Sequence, residues 1–148
     1  MPGARPTAHS SVPRRPSGQE NALNPFYLEF PATADRLIEV RRALRSWLAA
    51  IPVGQTLADD VILAAGEACT NAVEHAHHCD GGPVEIDASL TDGHILVVVT
   101  DHGSWRPSAS PADAARGRGL TIMRAVSSEF DVETSESGTV VTMLIACG

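Results

Sequence analysis

The segment from Val84 to Asp101 (VEIDASLTDGHILVVVTD) constrains the fold more than any other part of the chain. Apolar side chains alternate with polar ones from Val84 to Leu90, which is the pattern of a β-strand with one buried and one solvated face. Asp92-Gly93 favours the positive backbone angles of a tight hairpin turn. The run from Ile95 to Val99 is apolar at every position, which indicates an interior strand. The segment therefore predicts an antiparallel hairpin inside a larger sheet.

The rest of the chain adds helices and further strands around this hairpin. In chain order, the other predicted elements are a strand around Phe26–Phe30, a helix over 34–50 capped by Thr33, a helix over 57–78 with a capping box at Thr56–Asp59, a loop over 101–119, a helix over 120–128, and a last hairpin of 130–134 and 139–147. This order predicts an α+β fold, a two-layer α/β sandwich in which helices cover one face of a mostly antiparallel sheet. Residues 1–24 are rich in Pro, Ser, Gly and Arg, so we expect a disordered tail before one domain over 25–148.

The second predicted helix contains the sequence GEACTNAVEHAHH, from Gly66 to His78. At the helical rotation per residue, five polar side chains fall within a sector of roughly 60°. They are Asp60, Glu67, Asn71, Glu74 and His78. The opposite face holds mostly small apolar residues, which would let the helix lie close to a sheet. Taken alone, the polar face favours a solvated helix surface over a binding site.

Three features further along the chain add candidate ligand-binding groups. Asp101 follows the predicted interior strand, and its carboxylate suits a donor such as an adenine amine. The sequence Gly117–Leu120 is predicted to open a helix, whose free N–H groups and dipole favour an anion. Gly138-Thr139 begins the last strand. Each feature alone also fits an ordinary turn, cap or hairpin.

Together, in this order and spacing, these motifs resemble the GHKL ATP-binding superfamily, which includes histidine-kinase catalytic domains and gyrase. Within it, the chain looks most like the bacterial anti-sigma-factor serine kinases of the RsbW and SpoIIAB type. The resemblance covers residues from about Leu28 to Ala146 and implies the Bergerat ATP-binding fold. GEACTNAVEHA resembles the N box of the family, VVVTDHGS its first glycine box, GRGLTIM its second and SGTVVTM its third.

The resemblance implies a role for each matching residue. Asn71 would give its side-chain oxygen to Mg²⁺, and Glu67 would be the general base for a substrate hydroxyl. Asp101 would bind the adenine amine, and Gly103 would let the base lie close to the backbone. Thr139 would support the adenine side of the pocket.

The second glycine box is expected to bind phosphates. By resemblance, Gly117 and Gly119 would present N–H groups to the triphosphate. The other ligand-binding positions that the resemblance implies are His75 in the N box and Arg116, Arg118 and Leu120 around the second glycine box. The first glycine box departs from the family pattern, because Trp105 stands where a second glycine is usual.

The resemblance implies an ATP- and Mg²⁺-dependent serine/threonine kinase that is also an anti-sigma factor. It would sequester a sigma factor and phosphorylate an anti-sigma-factor antagonist, as a homodimer. A second hypothesis is a nucleotide-binding switch without significant kinase activity, and a third is an ATPase-like domain for an unrelated signalling partner. Glu67 favours the kinase, because a binding module needs no base at that position.

Composition narrows the function classes further. A formal net charge of −7 argues against direct nucleic-acid binding, and the longest apolar run, from Ile95 to Val99, is too short to span a membrane. All eleven basic residues are arginine, so no lysine can hold a phosphate or form a Schiff base. Three scattered cysteines favour a reducing, cytoplasmic location over a disulfide framework. A zinc site at His75 and Cys79 lacks a second ligand pair.

Overall fold

The computed structural model describes residues 24–76, 82–103 and 111–146, in which three α-helices lie on one face of a five-stranded antiparallel sheet. The strands are β1 (Phe26–Pro31), β2 (Pro83–Thr91), β3 (His94–Asp101), β4 (Glu129–Ser135) and β5 (Gly138–Ala146), in the order β1-β2-β3-β5-β4. The helices are α1 (Leu37–Ala49), α2 (Gln55–Asn71) and α3 (Pro111–Val126). This arrangement confirms the predicted α+β sandwich. The predicted tail lies outside the described residues except for Asn24.

The hairpin of β2 and β3 has the burial that its sequence predicts. Val84, Ile86 and Ala88 are buried, and the polar residues between them are partly exposed. The two strands pair through the whole segment, with Val84 opposite Asp101 and Thr91 opposite His94. Strand β3 is the middle strand of the sheet and is buried from Ile95 to Val99. An interior position therefore explains why this run has no polar residue.

The helical layer packs on the face of the sheet that carries the alternating apolar residues. Helix α1 buries Val40, Leu44 and Leu48 at helical spacing. Helix α2 buries mainly small residues, which are Val61, Ala64, Ala65, Ala68 and Cys69. Small side chains keep its axis close to the sheet, as the sequence predicts.

Helix α2 begins two residues earlier than predicted, so the capping box at Thr56–Asp59 is wrong. Gly54 is the N-cap in an extended conformation, and its carbonyl accepts the first helical hydrogen bond from Ala58 N–H at 3.0 Å. Thr56 therefore lies inside the first turn, where its side chain cannot cap. At its other end α2 continues as a π-helical segment from Ala72 to Ala76, and the rest of the predicted helix lies outside the described residues.

Helix α3 also differs from its prediction, because it begins at Pro111 and not near Leu120. Proline suits the first helical position, where its missing N–H has no partner to lose. Gly117 and Gly119 consequently lie in the interior of α3. The prediction that the second glycine box opens a helix is therefore wrong for this conformation.

Gly138 lies where β5 starts beside the end of β3, and its φ of +143° is rarely adopted by other residues. A Cβ at this position would overlap the carbonyl oxygen of Asp101 and lie 2.8 Å from His102 Cα. The two backbones can approach this closely only because residue 138 has no side chain.

We expect Gly138→Ala to lower the free energy of unfolding by about 3 kcal/mol or more, because it combines backbone strain with a backbone overlap. Gly93→Ala is the matched control, since Gly93 also has positive φ but has open space around it. The control should cost only about 1–2 kcal/mol. Urea unfolding of both variants measures the difference, and equal losses would contradict the overlap argument.

Cys69 is fully buried in α2, and desolvation raises the pKa of its thiol to about 12 from an ordinary 9.0, against a smaller lowering by Arg41. The folded chain therefore keeps the proton when the unfolded chain loses it. Stability from this group is complete below pH 9 and is lost as the pH rises toward 12. We expect wild-type unfolding free energy to fall more steeply above pH 9 than that of Cys69→Ala. Parallel slopes in urea titrations at several pH values would contradict this.

Candidate functional site

Three polar residues are buried among the residues that the structure describes, and the sequence predicts all three as ligand-binding positions. Asn71 is 5% exposed, Asp101 is 4% exposed and Thr139 is 1% exposed. Burial of a polar group costs free energy unless the group forms hydrogen bonds. That all three buried polar residues lie in predicted binding motifs therefore argues for a ligand-binding site.

The helix-facing side of the sheet turns from apolar to polar at its last row. Alternation places Asp101 on the same face as the buried Val97 and Val99. Strand register puts Thr139 directly opposite Asp101 and Thr134 opposite Thr139. Three neighbouring strands thus supply one polar side chain each at the edge of the core.

A cavity of about 450 Å³ opens where β3, β4 and β5 end together, and its lining also includes Thr100, Glu133 and Val140 from the face of the sheet away from the helices. Its lining includes Asp101, Thr134, Gly138 and Thr139. One carboxylate oxygen of Asp101 accepts a hydrogen bond from Gly103 N–H at 3.0 Å, which closes the turn after β3. Asp101 therefore has the turn-capping role that the sequence also allows, and it keeps a carboxylate at the cavity wall. The volume is in the usual range for small-molecule sites, roughly 300–1,000 Å³.

Helix α3 packs directly on the polar face of α2. A Cβ at Gly119 would lie 2.9 Å from Glu67 Oε1 and 3.6 Å from Asn71 Nδ2. Glycine at position 119 lets the two helices meet over these side chains, and Asn71 is buried by this packing while Glu67 remains half-buried. The sequence prediction that Glu67 and Asn71 share one face is confirmed. The structure adds that this face is covered by α3.

Two buried polar atoms lack a hydrogen-bond partner within the described part of the chain, and both belong to predicted site residues. They are Asn71 Nδ2 and Thr139 Oγ1. Rotation of the amide exchanges Oδ1 and Nδ2, so Asn71 can offer this position either a donor or an acceptor. Unpartnered buried groups are uncommon in folded proteins and fit a ligand that completes their hydrogen bonds.

The donor set also bears on Mg²⁺. The described residues hold no cluster of three His, Cys, Asp or Glu side chains that could bind a metal by itself. Mg²⁺ commonly takes only one or two protein oxygens and keeps waters and substrate phosphates as its other ligands. A single amide oxygen from Asn71 fits that mode, provided that a nucleotide brings the phosphates.

The structure brings some predicted positions together and leaves others open. Glu67, Asn71 and Gly119 form one group where α2 meets α3. Asp101, Gly103 and Thr139 form another group, which we call the sheet-edge group, where β3 ends beside the start of β5. Predicted positions whose side chains lie outside the described set are His75, Arg116 and Arg118; Gly117 and Leu120 lie within α3.

Sequence reasoning missed two contributors to the sheet-edge group. Thr134 lies on the polar row, and the alternation of β4 could have shown its face once the register with β5 was known. Gly138 was interpreted as a hairpin glycine, whereas it also contacts the backbone of Asp101. Residue patterns along one strand do not reveal such contacts between strands.

The contact between Gly119 and Glu67 can be tested with a double-mutant cycle. Glycine to alanine inside a helix stabilises by up to about 1 kcal/mol, but Gly119→Ala must displace the Glu67 carboxylate. We expect Gly119→Ala to gain less stability than Gly66→Ala, whose Cβ would lie an ordinary 3.6 Å from Arg41 Nε. In a Glu67→Ala background, Gly119→Ala should recover the full gain. Equal gains in both backgrounds, by urea unfolding, would rule out the contact.

Comparison with known proteins gives a family match and several relatives. The chain matches the histidine kinase-like ATPase domain over residues 30–145. A serine-protein kinase RsbW from Halalkalibacterium halodurans is 28% identical over 57% of this chain and 60% of its own length. An anti-sigma F factor from Clostridium acetobutylicum is 29% identical over 78% of this chain and 87% of its own length. The chain thus spans less than two thirds of the first relative and most of the second.

Solved structures share the fold. The RsbU and RsbW domains of Rv1364c from Mycobacterium tuberculosis match with a TM-score of 0.67 and 28% identity, over 82% of this chain and 32% of that chain. A chain of the SiaB–SiaC complex from Pseudomonas aeruginosa matches with a TM-score of 0.64 over 81% of this chain and 88% of that chain. Its identity of 17% supports the fold alone. Among the described residues, no helix is long and apolar enough to cross a membrane.

Proposed function

Because the chain belongs to the histidine kinase-like ATPase family, we propose that it is an ATP- and Mg²⁺-dependent protein serine/threonine kinase that also acts as an anti-sigma factor. One observation carries this proposal: the three buried polar residues of the described chain are all positions that the family resemblance assigns to nucleotide binding. Relatives named serine-protein kinase RsbW and anti-sigma F factor support the same activity.

In the proposed mechanism, the two groups of site residues hold opposite ends of the nucleotide. Asp101 accepts a hydrogen bond from the adenine amine, and Thr139 supports that end of the pocket through its hydroxyl. Asn71 would hold Mg²⁺ at the triphosphate end, where the bound ion would supply positive charge for phosphoryl transfer. Glu67 accepts the proton from the substrate hydroxyl, one helical turn before Asn71 on the same face of α2.

Access to the buried Asn71 requires a change at α3. In the described conformation Gly119 lies over the side chains of Asn71 and Glu67, and the interior N–H groups of α3 bond to its own carbonyls. For the second glycine box to bind phosphate, the part of α3 around Gly117 and Gly119 must leave α2 and release those N–H groups. We therefore expect the nucleotide to favour a second arrangement of this segment.

Hydrogen exchange tests this rearrangement. Addition of Mg²⁺ and a non-hydrolysable ATP analogue should change amide protection in α3 around Gly119 by about tenfold, while β2 and the Ile95–Val99 part of β3 change little. The strands serve as the internal control, because they lie in the middle of the sheet. Nucleotide binding without any change in α3 exchange would contradict the proposed opening.

Substitution of the two α2 residues tests the chemistry. We expect Glu67→Ala to reduce phosphate transfer to an antagonist protein by at least about 100-fold with little loss of nucleotide affinity. Asn71→Ala should weaken Mg²⁺-dependent nucleotide binding itself. Labelled ATP measures transfer and calorimetry measures binding, with Asp59→Asn, an exposed carboxylate on α2, as the matched control. Full transfer by both site variants would disprove the assigned roles.

The alternative function is a nucleotide-binding switch that holds a partner without significant kinase activity. The packing of α3 beside Glu67 favours keeping this alternative, because it restricts the access of a substrate hydroxyl to that half-buried carboxylate. Incubation with ATP and candidate antagonists, followed by intact-mass measurement, separates the two. Gain of one phosphate by the antagonist supports the kinase, and a stable nucleotide complex without that gain supports the switch.

The proposed partners follow from the family. We propose a sigma factor and an anti-sigma-factor antagonist as binding partners, with the chain acting as a homodimer. Co-purification from the native host, with and without ATP, identifies these partners directly.

A further inference from the structure

The turn that follows β3 is held by side-chain contacts on both faces of the sheet. It consists of Asp101, His102 and Gly103. On the helix-covered face, Asp101 Oδ1 accepts a hydrogen bond from Gly103 N–H at 3.0 Å. On the opposite face, His102 Nε2 lies 3.2 Å from Glu85 Oε2, and Glu85 alternates with the buried residues of β2. The turn is therefore tied to β2 as well as to its own carboxylate.

Glu85 is itself held by a second strand. Tyr27 of β1 donates its hydroxyl proton to Glu85 Oε1 at 3.3 Å, so each oxygen of the carboxylate contacts a different side chain. Partial desolvation, and then the charge of Glu85, raise the pKa of Tyr27, which keeps the proton that it donates. We call His102, Glu85 and Tyr27 the turn anchor. It connects the turn after β3 to β2 and β1, the next two strands of the sheet.

Charge makes His102 the important member of the turn anchor. Glu85 lies directly opposite Glu29 in the pairing of β1 with β2, and two like charges at such positions destabilise a sheet. The five strands contain no arginine, and the chain contains no lysine. Histidine is the side chain that ordinarily gains or loses its charge near neutral pH. Among the described residues, His102 is thus the contact that can supply Glu85 with a positive charge.

The turn anchor lies next to a proposed nucleotide-binding group. His102 follows Asp101 directly, and both line the cavity where β3, β4 and β5 end. The backbone of Asp101 is fixed by β5, since Gly138 leaves no space for even a Cβ beside it. The pairing of β3 ends at Asp101, so His102 and Gly103 lie outside the ladder. The contact of His102 with Glu85 therefore fixes the segment that carries the Gly103 N–H, which orients the Asp101 carboxylate.

We propose that His102 is a positioning residue: by pairing with Glu85 it orients the Asp101 carboxylate for adenine, and this pairing makes nucleotide affinity depend on pH. The inference rests on the proposed function, because it takes Asp101 as the acceptor for the adenine amine. A protonated His102 forms an ion pair with Glu85 and holds the turn most firmly. A neutral His102 retains only an uncharged donor, which makes a weaker contact. Nucleotide affinity therefore falls as the pH rises from about 6 to about 8.

The expected effect is small because both side chains of the pair are partly in water. The side chains of His102 and Glu85 are 49% and 32% exposed, and exposed ion pairs change an equilibrium by at most about fivefold. We expect the pair to change nucleotide affinity by about threefold.

Other ionisable side chains surround the turn anchor on neighbouring strands. They are Glu29 opposite Glu85, Asp87 opposite Tyr27, Asp101 beside His102, and Glu133 in the lining of the same cavity. All four are carboxylates, a class of side chain that ordinarily keeps its charge between about pH 6 and about pH 8. They give a constant field over this range. A pH dependence that disappears when Glu85 is neutralised therefore belongs to the turn anchor.

Nucleotide titrations of the full chain at about pH 6 and about pH 8 test the proposal. The ligand is a non-hydrolysable ATP analogue with Mg²⁺, and calorimetry measures its Kd. Glu85→Gln can still form hydrogen bonds to Tyr27 and His102 but has no charge. We expect this variant to bind about threefold more weakly than wild type at the lower pH and nearly equally at the higher pH. The same ratio of variant to wild-type Kd at both pH values would overturn the proposal.

A control and a double-mutant cycle locate the effect. His94→Gln removes a histidine from the other end of β3, where it contacts the backbone of Asp92, and should keep the wild-type pH profile. His102→Gln should reproduce the loss seen for Glu85→Gln, and the double variant should lose no more than either single variant. Additive losses would show that the two residues act independently and would overturn the proposal.

Amide exchange at Gly103 tests the turn without any nucleotide. We expect the Gly103 amide to exchange about threefold faster in Glu85→Gln than in wild type at about pH 6, and at the same rate at about pH 8. Equal exchange at both pH values would overturn the positioning role. If exchange follows the expectation but the wild type binds no nucleotide, the proposed function is overturned and the turn anchor is a purely structural contact.

Discussion

The close packing of α2 against the sheet is the contact on which the candidate site depends. This helix touches α1, α3, β3 and β5, so it links every layer of the molecule. Alanines at 64, 65 and 68 keep it close to the strands, and a larger residue at any of them would push the helix outward. The polar flank of the same helix then lies against α3. Packing on one side of α2 thus fixes where Glu67 and Asn71 stand on the other.

Much of the fold was predictable because its strongest patterns are local. Three local patterns predict the structure at their own positions. They are the alternation in β2, the continuous apolar run in β3 and the turn at Asp92-Gly93. The burial of Asp101 and Thr139 follows from the same alternation, since both continue an inward-facing series. Strand alternation therefore predicts that these two side chains are buried, and the motifs predict that they bind a ligand.

The wrong predictions concern residues whose type is compatible with two different structural roles. Thr56 is a residue type that often caps helices. The N-cap of α2 is nevertheless Gly54, two residues earlier, which makes no side-chain hydrogen bond. Gly117 and Gly119 are typical of a helix start, whereas Gly119 is needed where two helices meet. Close approach between helices is set by tertiary structure, so a single sequence does not distinguish it from a turn. The length of α3 was underestimated for that reason.

The glycines of α3 also have an energetic consequence. Each costs the helix about 1 kcal/mol relative to alanine, so the stretch around Gly117 and Gly119 has a low intrinsic tendency to be helical. Its order depends on contact with α2, while the sheet is held together by its own strand pairing. Local unfolding of this stretch therefore needs far less free energy than global unfolding. A molecule built in this way can lose one half of a helix and remain folded.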